Sequence, residues 1–506
     1  MWFGLCSQDD MDILPANQFP YPPVKETEVR FPDFNIDYPL YTRNVNAIHK
    51  YIAQGQSYQV NYTFRSHINL PGDPLHHFLR MYAAQPVPYA AYLRGGGQWI
   101  LSLSPELFLR RQGDRIVSQP MKGTLKRGRT VEEDIQQMQC LQTCPKNRAE
   151  NIMIVDMVRN DLGRICKPGH VYTDRLCQIE RYRTLFQMTS TVSGQLFPRT
   201  SLWDILAATF PAASITGAPK HRTMEIIREL ETTPRNVYCG SIGIIEPDNH
   251  FTLNVSIRTL HGTPPDYTLG IGGGILWDSH PEAEYEEAKT KMHFVFASKP
   301  EFALFETLRL EPDGYLYLCD HLKRLEQSAM YWDFCFPLDA TQQRLLDYAK
   351  SLAGQSVAVR LQLSSNGDIA ITHRALTTLR PPVYVTVCRQ PVDSSDPWLF
   401  HKTTQRTFYN QQRERALKQG YGEVLFTNEH GNITEGSITN LIARFGGRWF
   451  TPPVADGLLP GIWRAHMIRE HQVEERSISL SALQEADEVW IGNSVMGSLA
   501  VENIKT

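Results

Sequence analysis

The feature that most constrains the fold of this chain is a change of pattern near Lys299-Pro300, which separates two halves. Before this point a glycine run, Gly272–Gly274, is followed by a charged stretch of helical character that begins at Pro281. After it, the apolar residues 302–310 are typical of a strand and residues 320–332 of a helix. Strand-like and helix-like stretches occur in both halves, so the sequence predicts at least two domains.

Length and charge exclude several classes of protein. The 506 residues fit two to four domains of about 100–200 residues each. A formal net charge of −3 gives no electrostatic reason to expect nucleic acid or an anionic membrane as a partner. No apolar run approaches the roughly 18 residues that cross a bilayer, and the first residues lack the pattern of a signal peptide. The nine cysteines are scattered, as is typical of reduced thiols, so we expect a cytoplasmic protein.

Acidic residues on two predicted helices suggest a metal site. Glu284 and Glu287 are three residues apart and share one helix face, and Lys291 lies four residues beyond Glu287. Glu150 opens another helix far upstream. Carboxylates from two helices could converge on one Mg²⁺, which favours one or two protein carboxylates together with substrate oxygens. Taken alone, acidic residues at this spacing more often form only a solvated face.

Three short segments could bind an anionic ligand. Small residues in GAPK, Gly217–Lys220, allow backbone amides to approach a ligand, and the lysine adds positive charge. The run Gly272–Gly274 allows the same close approach. Lys122, in PMKGT, is flanked by turn-forming residues. Each segment alone also has an ordinary explanation, as a tight turn or a surface charge.

Together and in order, these segments resemble the chorismate-utilising enzymes. The resemblance covers residues 40–295 and rests on SPELF (104–108), PMKGT (120–124), AENIMIVDMVRNDLGR (149–164), FPAASITGAPK (210–220), IRTL (257–260) and GGGILWDSHPEAEYEE (272–287). It implies a domain over 40–297, built from antiparallel sheets with helices, that binds chorismate and Mg²⁺. Residues 1–39 are expected to be an arm or the remnant of a longer N-terminal region.

Within this family the sequence is most similar to the large subunit of aminodeoxychorismate synthase, and Lys122 is the diagnostic residue. Anthranilate and isochorismate synthases typically carry alanine at this position. The resemblance implies that Lys122 attacks ring carbon C2 of chorismate and expels the C4 hydroxyl, with Glu106 as general acid and base. Gln59 stands where isochorismate synthases typically place a lysine that activates water, which argues against water as the nucleophile.

The resemblance also implies which residues bind metal and substrate. Glu150 and Glu287 would hold Mg²⁺, with Glu284 near it or bound through water. The residues expected to bind substrate are Gln59, Gly217, Ala218, Pro219, Lys220, Arg258, Gly273, Gly274 and Lys291. Two residues depart from the family pattern: Asn147 replaces a common metal-associated acid, and Gln187 replaces a histidine that anthranilate synthases link to pyruvate elimination.

The second half resembles the fold-type IV pyridoxal-phosphate enzymes, which include aminotransferases and aminodeoxychorismate lyase. The resemblance rests on FET (305–307), DHLKRLEQSA (320–329), HKTTQRTFY (401–409), EVLFTNEHGNITEGSITNL (423–441), LLPGIWR (458–464) and ADEVWIGNS (486–494). It implies two α/β subdomains over 298–506, a bound pyridoxal 5′-phosphate and a homodimer formed through this domain. The family usually has a leading strand and a tyrosine-bearing loop before the FET block, which this chain enters almost directly.

Each residue implied at the pyridoxal phosphate site has a chemical reason. Lys402 would form the Schiff base and transfer protons. Glu435 would keep the pyridine nitrogen protonated. Arg324 would bind the phosphate. Further donors would come from Gly461, Ile462, Asn493 and Ser494.

The two resemblances together imply that the fold class is α+β, and they predict an enzyme that makes 4-aminobenzoate. The first domain would convert chorismate into 4-amino-4-deoxychorismate, and the second would eliminate pyruvate from it. None of the cysteines lies in the glycine-flanked setting of a class I glutaminase, so ammonia is expected from a separate glutaminase subunit or from ammonium. Two alternatives stay open: an anthranilate synthase fused to an amino-acid aminotransferase, and a weakly active scaffold that binds chorismate-like ligands.

Overall fold

The chain forms two compact units. The structure is a computed structural model that describes residues 33–296, 300–352, 354–376, 382–471 and 473–505. The first unit comprises Met1–Lys126 and Met138–Pro300, and the second comprises Arg127–Gln137 and Glu301–Thr506. The predicted arm over 1–39 lies mostly outside the described residues, as does the predicted boundary at 297/298.

The helices of the first unit are α1 (Tyr38–Ala53), α2 (Pro74–Ala84), α3 (Val131–Thr143, which begins in the segment assigned to the second unit), α4 (Pro145–Gly163), α5 (Leu202–Thr209), α6 (Lys220–Leu230) and α7 (Pro281–Thr290). Its strands are β1 (Asp33–Phe34), β2 (Gln59–Asn69), β3 (Tyr89–Gly95), β4 (Gln98–Ser104), β5 (Leu107–Gln112), β6 (Arg115–Gln119), β7 (Met121–Lys126), β8 (Cys166–Arg181), β9 (Leu185–Leu196), β10 (Gly217–Ala218), β11 (Gly243–Ile245), β12 (Phe251–Asn254), β13 (Thr259–Thr263) and β14 (Asp266–Ile275).

Two antiparallel sheets organise the first unit. One has the order β1-β2-β14-β13-β4-β3, with β10 also paired to β2, and the other has the order β11-β12-β5-β6-β9-β7, with β8 also paired to β9. Helix α4 packs on β8 and β9, and α7 packs on β14. Each sheet contributes to its own buried apolar cluster. The site residues come from the ends and edges of these two sheets and from α4 and α7.

Helix α1 illustrates how local sequence sets an element's bounds. The Asp37 side chain accepts a hydrogen bond from the Leu40 backbone N–H, and a proline occupies the first turn, so the helix begins at Tyr38. Tyr41, Val45 and Ile48 follow at helical spacing and are fully buried. The cap therefore moves the boundary into the predicted arm.

The predicted helix after Pro281 is shorter than its sequence suggested. Helix α7 ends at Thr290, and His293–Val295 form a separate 3-10 turn instead of continuing the α-helix. The Met292 N–H already bonds to the Lys289 carbonyl three residues back, a tighter spacing than in an α-helix. The α-helix therefore ends just after Glu284 and Glu287, the residues of its acidic face.

The helices of the second unit are α8 (Leu318–Trp332), α9 (Leu338–Ser351), α10 (Thr407–Lys418), α11 (Ile462–Glu470) and α12 (Leu480–Gln484). Its strands are β15 (Leu304–Glu311), β16 (Gly314–Tyr315), β17 (Val357–Leu363), β18 (Ile369–Ala375), β19 (Val383–Val387), β20 (Glu423–Thr427), β21 (Ile433–Gly436), β22 (Asn440–Phe445), β23 (Arg448–Thr451), β24 (Glu474–Glu475), β25 (Glu488–Asn493) and β26 (Gly497–Lys505).

The second unit has two sheets with separate apolar cores, as expected for two subdomains. A four-stranded antiparallel sheet, β16-β15-β17-β18, packs with α8 and α9 around one core. A mixed eight-stranded sheet, β21-β20-β19-β26-β25-β22-β23-β24, surrounds another. Among the described residues no helix is long and apolar enough to cross a membrane. The cysteines in the described part of the chain are all free thiols.

Candidate active sites

Lys122 lies at an irregularity of β7. The pairing of β7 with β9 shifts between Met121 and Thr124, so Lys122 and Gly123 together occupy the place of one residue. Such a bulge redirects side chains out of the regular alternation. The Gln187 side chain holds it: its Nε2 donates to the Gly123 carbonyl at 2.9 Å, and its Oε1 accepts from Thr124 Oγ1 at 2.9 Å. The sequence singled out Gln187 only as a departure from a family pattern.

Gly123 could not be replaced without moving its neighbours. Its φ of 86° lies in the left-handed region that favours glycine. A Cβ at this position would lie 3.1 Å from the Asn147 Cβ. Asn147, the other residue that departs from the family pattern, therefore packs against the turn that presents Lys122.

Glu106 lies in the connection between β4 and β5 and is only 3% exposed. Its backbone N–H donates to Ser104 Oγ at 3.2 Å, and its carbonyl accepts from the Val255 N–H at 3.0 Å. Burial raises the pKa of the Glu106 carboxyl to about 7, although the nearby charge of Lys122 opposes the shift. Glu106 can therefore hold or release a proton near neutral pH.

Lys122 has the complementary property. The protein around its amine disfavours the charged form and lowers the pKa of Lys122, while Glu106 and Glu150 partly offset this effect. A neutral amine is nucleophilic, and a protonated carboxyl is an acid. The geometry thus combines a nucleophile and a proton donor in one site.

The three predicted metal-binding glutamates surround the same region. Burial raises the pKa of Glu150 on α4, and the negative charges of Glu284 and Glu287 on α7 raise it further. The Lys291 ammonium, 2.8 Å from Glu287 Oε1, lowers the pKa of Glu287. Glu284 Oε1 accepts a hydrogen bond from Ser279 Oγ at 2.7 Å.

These glutamates suit Mg²⁺ without forming a closed cage. Among the described residues, the group whose ligand atoms already lie within 4.8 Å of one another is a different one, formed by Glu246, Asp248 and His250, of which both acids are exposed. Burial is the main cause of the raised pKa of Glu150, and Lys122 opposes it, but Glu284 and Glu287 add a repulsion that a cation among the three glutamates would relieve. Oxygen donors from few side chains are what Mg²⁺ prefers.

The glycine run on β14 leaves room for side chains from three elements. Gly274 pairs with Asn61 of β2, and a Cβ at Gly274 would lie 1.9 Å from Gln59 Nε2 and 3.4 Å from Lys122 Nζ. A Cβ at Gly273 would lie 3.4 Å from both Glu284 Oε2 and Lys291 Nζ. The structure thus brings together the predicted residues Gln59, Lys122, Glu284 and Lys291 around these glycines.

Gln59 faces this site with an unsatisfied acceptor. Its side chain is buried, with 1% exposure, and its Oε1 has no hydrogen-bond partner among the described residues. A buried amide oxygen without a partner is unfavourable unless a ligand supplies a donor. This observation makes Gln59 a candidate contact for the substrate or for ammonia.

The GAPK segment is less simple than its sequence suggested. Gly217 and Ala218 form β10 and pair with Val60 and Gln59, and Pro219 caps α6. Lys220 Nζ, however, contacts Asp161 Oδ2 at 2.5 Å and the Thr209 carbonyl at 2.9 Å. Its charge is therefore already paired within the protein, whereas the backbone of the segment stays beside Gln59.

Arg258 lies between β12 and β13 in a left-handed conformation, with a φ of 51°. Its carbonyl accepts from the Leu103 N–H at 3.0 Å, which ties it to the end of β4. Burial lowers the pKa of the Arg258 guanidinium, and Tyr182 partly offsets this. A desolvated arginine gains most from a bound carboxylate.

In the second unit, Lys402 meets the start of β15. Its carbonyl accepts from the Phe305 N–H at 3.0 Å, and its Nζ lies 4.9 Å from the centre of the Phe305 ring. Burial, together with the positive charges of Arg406 and Arg324, lowers the pKa of Lys402 to about 7. A substantial fraction of its amine is therefore neutral near physiological pH, as imine formation requires.

Glu435, like Glu306, is a carboxyl group whose charge acts on Lys402. Burial raises the pKa of Glu435 to about 8, although Arg406 and Lys402 act in the opposite direction. The Asn440 side-chain amide donates to Glu435 Oε2 at 3.3 Å and to the Leu459 carbonyl at 3.1 Å. A carboxyl of this kind can share its proton with a basic ring nitrogen.

The N-terminus of α11 provides backbone donors for an anion. Gly461 caps the helix and Ile462 is its first residue. A Cβ at Gly461 would lie 1.6 Å from Asn440 Oδ1, so only glycine fits. Free N–H groups at such an end, with the helix dipole, favour phosphate. Together with Lys402 and Glu435, this end fits pyridoxal phosphate.

Arg324 is held by protein acceptors. Its Nε and Nη2 donate to the two oxygens of Glu306 at 2.8 and 2.7 Å, and its Nη1 donates to the Pro460 carbonyl at 3.0 Å. Although burial alone would raise the pKa of Glu306, Arg324 and His321 hold it well below its usual range. Arg324 thus lies beside the start of α11 with part of its hydrogen-bonding capacity already used.

The Asn493-Ser494 loop is ordered by its own side chain. Asn493 Oδ1 accepts from the N–H groups of Val495 and Met496, both at 3.0 Å, and its Nδ2 donates to the Ile438 carbonyl at 3.1 Å. Ser494 lies within this turn. The side chain of Asn493 therefore shapes the loop, while Ser494 is the member whose hydroxyl could act as a donor.

Two residues near Lys402 were missed from the sequence. The Arg360 guanidinium lies 3.9 Å from the centre of the Phe305 ring, whose centre is also close to Lys402 Nζ. Tyr409 is buried, its hydroxyl has no partner among the described residues, and Glu435 and Arg406 act on its pKa. A lone arginine within the apolar strand sequence SVAVRLQL was the available signal for Arg360.

The comparisons with known proteins agree with both halves. Residues 6–297, more than half of the chain, match the family described as chorismate binding enzymes, so the chain belongs to that family. Residues 303–504 match the amino-transferase class IV family. The predicted fold class, a chorismate-binding fold followed by a fold-type IV domain, is confirmed.

Curated relatives of two kinds are similar to the first half. The chain is 40% identical over 270 residues to anthranilate synthase component 1 1 of Haloarcula marismortui, which covers 53% of this chain and 55% of that protein. It is also 40% identical over 259 residues to aminodeoxychorismate synthase component 1 of Escherichia coli, and this match covers 51% of this chain and 57% of that protein. The chain spans about half the length of the curated relatives it matches.

A solved structure supports the fold of the first unit. Anthranilate synthase component I from Streptococcus pneumoniae superimposes with a TM-score of 0.51 at 28% identity, covering 56% of this chain and 62% of that one. Identity to the two kinds of relative is equal, so similarity alone does not distinguish the two activities.

Proposed function

We propose that this chain is a bifunctional enzyme of 4-aminobenzoate synthesis. Its first domain, residues 40–297, would aminate chorismate, and its second domain, residues 298–506, would eliminate pyruvate from the product. The single observation that supports this most strongly is Lys122, an amine with a lowered pKa beside Glu106 in the chorismate-binding half. A related enzyme that carries alanine at this position has no amine there that could act as a nucleophile.

In the first step Lys122 Nζ would bond to ring carbon C2 of chorismate. Both ring double bonds shift, from C1–C2 to C1–C6 and from C5–C6 to C4–C5, the C4–O bond breaks, and the hydroxyl leaves as water with the proton of Glu106. Ammonia then bonds to C4, both double bonds shift back, and the bond to Nζ breaks. Glu106 accepts the proton that the added ammonia loses, so both residues return to their starting states.

Glu150 and Glu287, with Glu284 nearby, would hold Mg²⁺ in this half. The ion would neutralise the ring carboxylate of chorismate and lower the energy of charge that develops there. Arg258 and Lys291, with the backbone of Gly217–Pro219, would bind the enolpyruvyl carboxylate. Lys220 is paired with Asp161, so it would support these residues indirectly rather than contact the substrate itself.

In the second step this chain's residues would move protons around bound pyridoxal phosphate, which supplies an electron sink for the carbon that bears the amino group. Lys402 would remove the proton from C4 of the substrate. The C3–O bond then breaks, the ring becomes aromatic, and the departing enolpyruvate takes up a proton as pyruvate. Arg360 would orient a substrate carboxylate beside Lys402, and Glu435 would hold the proton shared with the cofactor ring.

A glutaminase subunit would supply ammonia to the first domain. This follows from the absence of a class I glutaminase motif in the sequence. A cytoplasmic location, and a homodimer formed through the second domain, complete the proposal.

A second candidate is an anthranilate synthase joined to an amino-acid aminotransferase. The equal identity to the anthranilate synthase of Haloarcula marismortui favours it. The two candidates differ in where ammonia adds: C4 for the first and C2 for the second. Lys122 argues for C4, because a lysine bonded to C2 blocks that carbon.

The deciding experiment supplies the full chain with chorismate, Mg²⁺, ammonium and pyridoxal phosphate. The products are separated by chromatography against authentic standards, because 2- and 4-aminobenzoate are isomers of equal mass. We expect 4-aminobenzoate and pyruvate in equal amounts. Formation of 2-aminobenzoate would establish the second candidate. If neither domain forms a product, the remaining interpretation is a scaffold that binds chorismate-like ligands.

A further inference from the structure

A segment from within the chorismate-binding sequence belongs to the second unit. Residues Arg127–Gln137 follow β7 directly, yet they cluster with Glu301–Thr506. The segment includes the start of α3. Its contacts with the rest of the second unit include one with His401, the residue immediately before Lys402.

Asp134 gives the segment its shape. Its Oδ1 accepts from the Gly128 N–H at 2.8 Å, and its Oδ2 accepts from Arg127 Nε at 2.7 Å. A Cβ at Gly128 would lie 2.5 Å from the backbone of residues 133 and 134, so the turn closes only with glycine there. Asp134 is 7% exposed, so this is a buried and fully formed turn.

The turn is anchored to α8 of the second unit. Tyr331 Oη donates to the Gly128 carbonyl at 2.8 Å, and the Arg127 guanidinium lies 4.5 Å from the centre of the Tyr331 ring. Arg129 Nη1 donates to the Ser394 carbonyl at 2.9 Å. These contacts fix the position of the Arg129 backbone.

The Arg129 carbonyl then fixes His401. It lies 3.1 Å from His401 Nε2, and Ser328 Oγ lies 3.0 Å from His401 Nδ1. Burial lowers the pKa of His401 to about 4, so the ring is neutral and carries one N–H. Because a carbonyl can only accept, Nε2 carries that hydrogen, and Nδ1 accepts from the serine hydroxyl.

His401 lies next to Lys402 in extended backbone, with φ of −123° and ψ of 137°. In such backbone successive side chains point to opposite sides. A His401 ring that is held on one side therefore sets the direction of Lys402 on the other side, toward Phe305 and Glu435.

We propose that the turn formed by Arg127, Gly128 and Arg129 and closed by Asp134 is a positioning element of the pyridoxal phosphate site, acting on Lys402 through His401. The cofactor site of the second half would then be incomplete without a segment that the sequence assigns to the first half. This inference rests on the proposed function, because it assumes that Lys402 binds the cofactor.

The test uses the full chain, freed of cofactor and titrated with pyridoxal phosphate. We expect Asp134→Asn and His401→Leu to weaken binding by about tenfold, the loss typical when a residue that supports a ligand-holding side chain is removed. The pH midpoint of the visible absorbance of the bound cofactor should also rise, because a Lys402 nitrogen that reaches solvent is charged more readily. A loss of packing alone would lower occupancy and leave that midpoint unchanged.

Glu132→Gln is the matched control on the same segment. Glu132 is exposed and contacts Gln327 at the surface, so this variant should bind and titrate as the unmodified chain does. Chorismate amination, measured in parallel, reports whether the first domain stays intact. Asp134→Asn with unchanged affinity and midpoint would overturn the proposal.

Two further measurements keep the outcomes distinct. If Asp134→Asn does not fold, His401→Gln is compared with His401→Leu: the glutamine amide can donate to the Arg129 carbonyl, so it should restore affinity, and equal losses would refute the positioning role. Borohydride reduction of the unmodified chain should fix the cofactor on Lys402. If the unmodified chain binds no cofactor there, the proposed function fails instead.

Discussion

Lys122 and Glu106 are opposite cases of the same physical effect. The protein around them disfavours charge on both, which lowers the pKa of the amine and raises that of the carboxyl. The pair can therefore exist as neutral amine and neutral acid, the forms that nucleophilic attack and proton donation require. Because burial is the largest cause of both pKa shifts, neither shift is due to one neighbouring residue alone.

Lys122→Ala should reduce amination of chorismate to background, because no other amine replaces the nucleophile. Pyridoxal phosphate binding should be unchanged, since the Lys402 site lies in the other unit. Lys126→Ala, an exposed lysine on the same strand, is the matched control and should retain activity. Product is measured by chromatography after short incubations. Normal amination by the alanine variant at position 122 would eliminate the covalent route.

The pH dependence of amination should reflect Glu106. Its pKa of about 7 means that the acid is protonated below this pH and loses its proton above it. With un-ionised ammonia held constant, the rate should therefore fall as pH rises through about 7. Glu106→Gln should lower the rate by about 10²- to 10⁴-fold and remove this alkaline limb. An identical alkaline limb in the glutamine variant would assign it to another group.

At the scale of elements, the site depends on strands that approach one another closely. The run on β14 pairs with β2 and leaves no space for side chains at Gly274. The bulge in β7 turns Lys122 toward the same place. The close approach comes from the glycines of β14 together with the pairing of the strands.

Gly274→Ala should disable amination while preserving the fold. The new methyl group would lie 1.9 Å from Gln59 Nε2, so Gln59 and its neighbours must move. A displacement of about 1 Å at a reacting group can reduce the rate by about 100-fold. Gly163→Ala, at the end of α4 with nothing within 4 Å of its Cβ, is the control and should be neutral. Full activity in the Gly274 variant would show that this close approach is unimportant.

At the scale of the whole molecule, the two sites should be separable by mutation. Lys402→Ala removes the amine of the second site and none of the residues around Lys122. We expect amination to continue and 4-amino-4-deoxychorismate to accumulate, with no 4-aminobenzoate. Intermediate and product are quantified together over time. If amination also stopped in a folded variant, the two reactions would depend on each other.

The source of ammonia is a second property of the whole chain. The purified protein should aminate chorismate with ammonium but not with glutamine alone, because no cysteine has the setting of a glutaminase nucleophile. The assay supplies glutamine at saturating chorismate after free ammonium has been removed. Adding a class I glutaminase subunit should restore the reaction. Robust activity with glutamine alone would reveal an amidase site in this chain.

The sequence by itself determined the two halves and their families, and it predicted the residues of a site in each. Motif blocks carry this information because ligand chemistry fixes residue type and order, as for Lys122, Glu150 and Lys402. Sequence patterns also located α4 and α8 to within a turn or two. The exact ends of helices depend on local caps, such as Asp37 at the start of α1, which periodicity does not detect.

Only the tertiary structure decided how the side chains are paired and where one segment belongs. The ion pairs of Lys220 with Asp161 and of Arg324 with Glu306 join residues far apart in sequence, so no spacing rule predicts them. Strand pairing sets Arg360 opposite Thr307, and its guanidinium lies over the Phe305 ring. Residues 127–137 lie in the second unit because Asp134 and His401 become buried together there, and burial depends on contacts that a linear pattern does not contain.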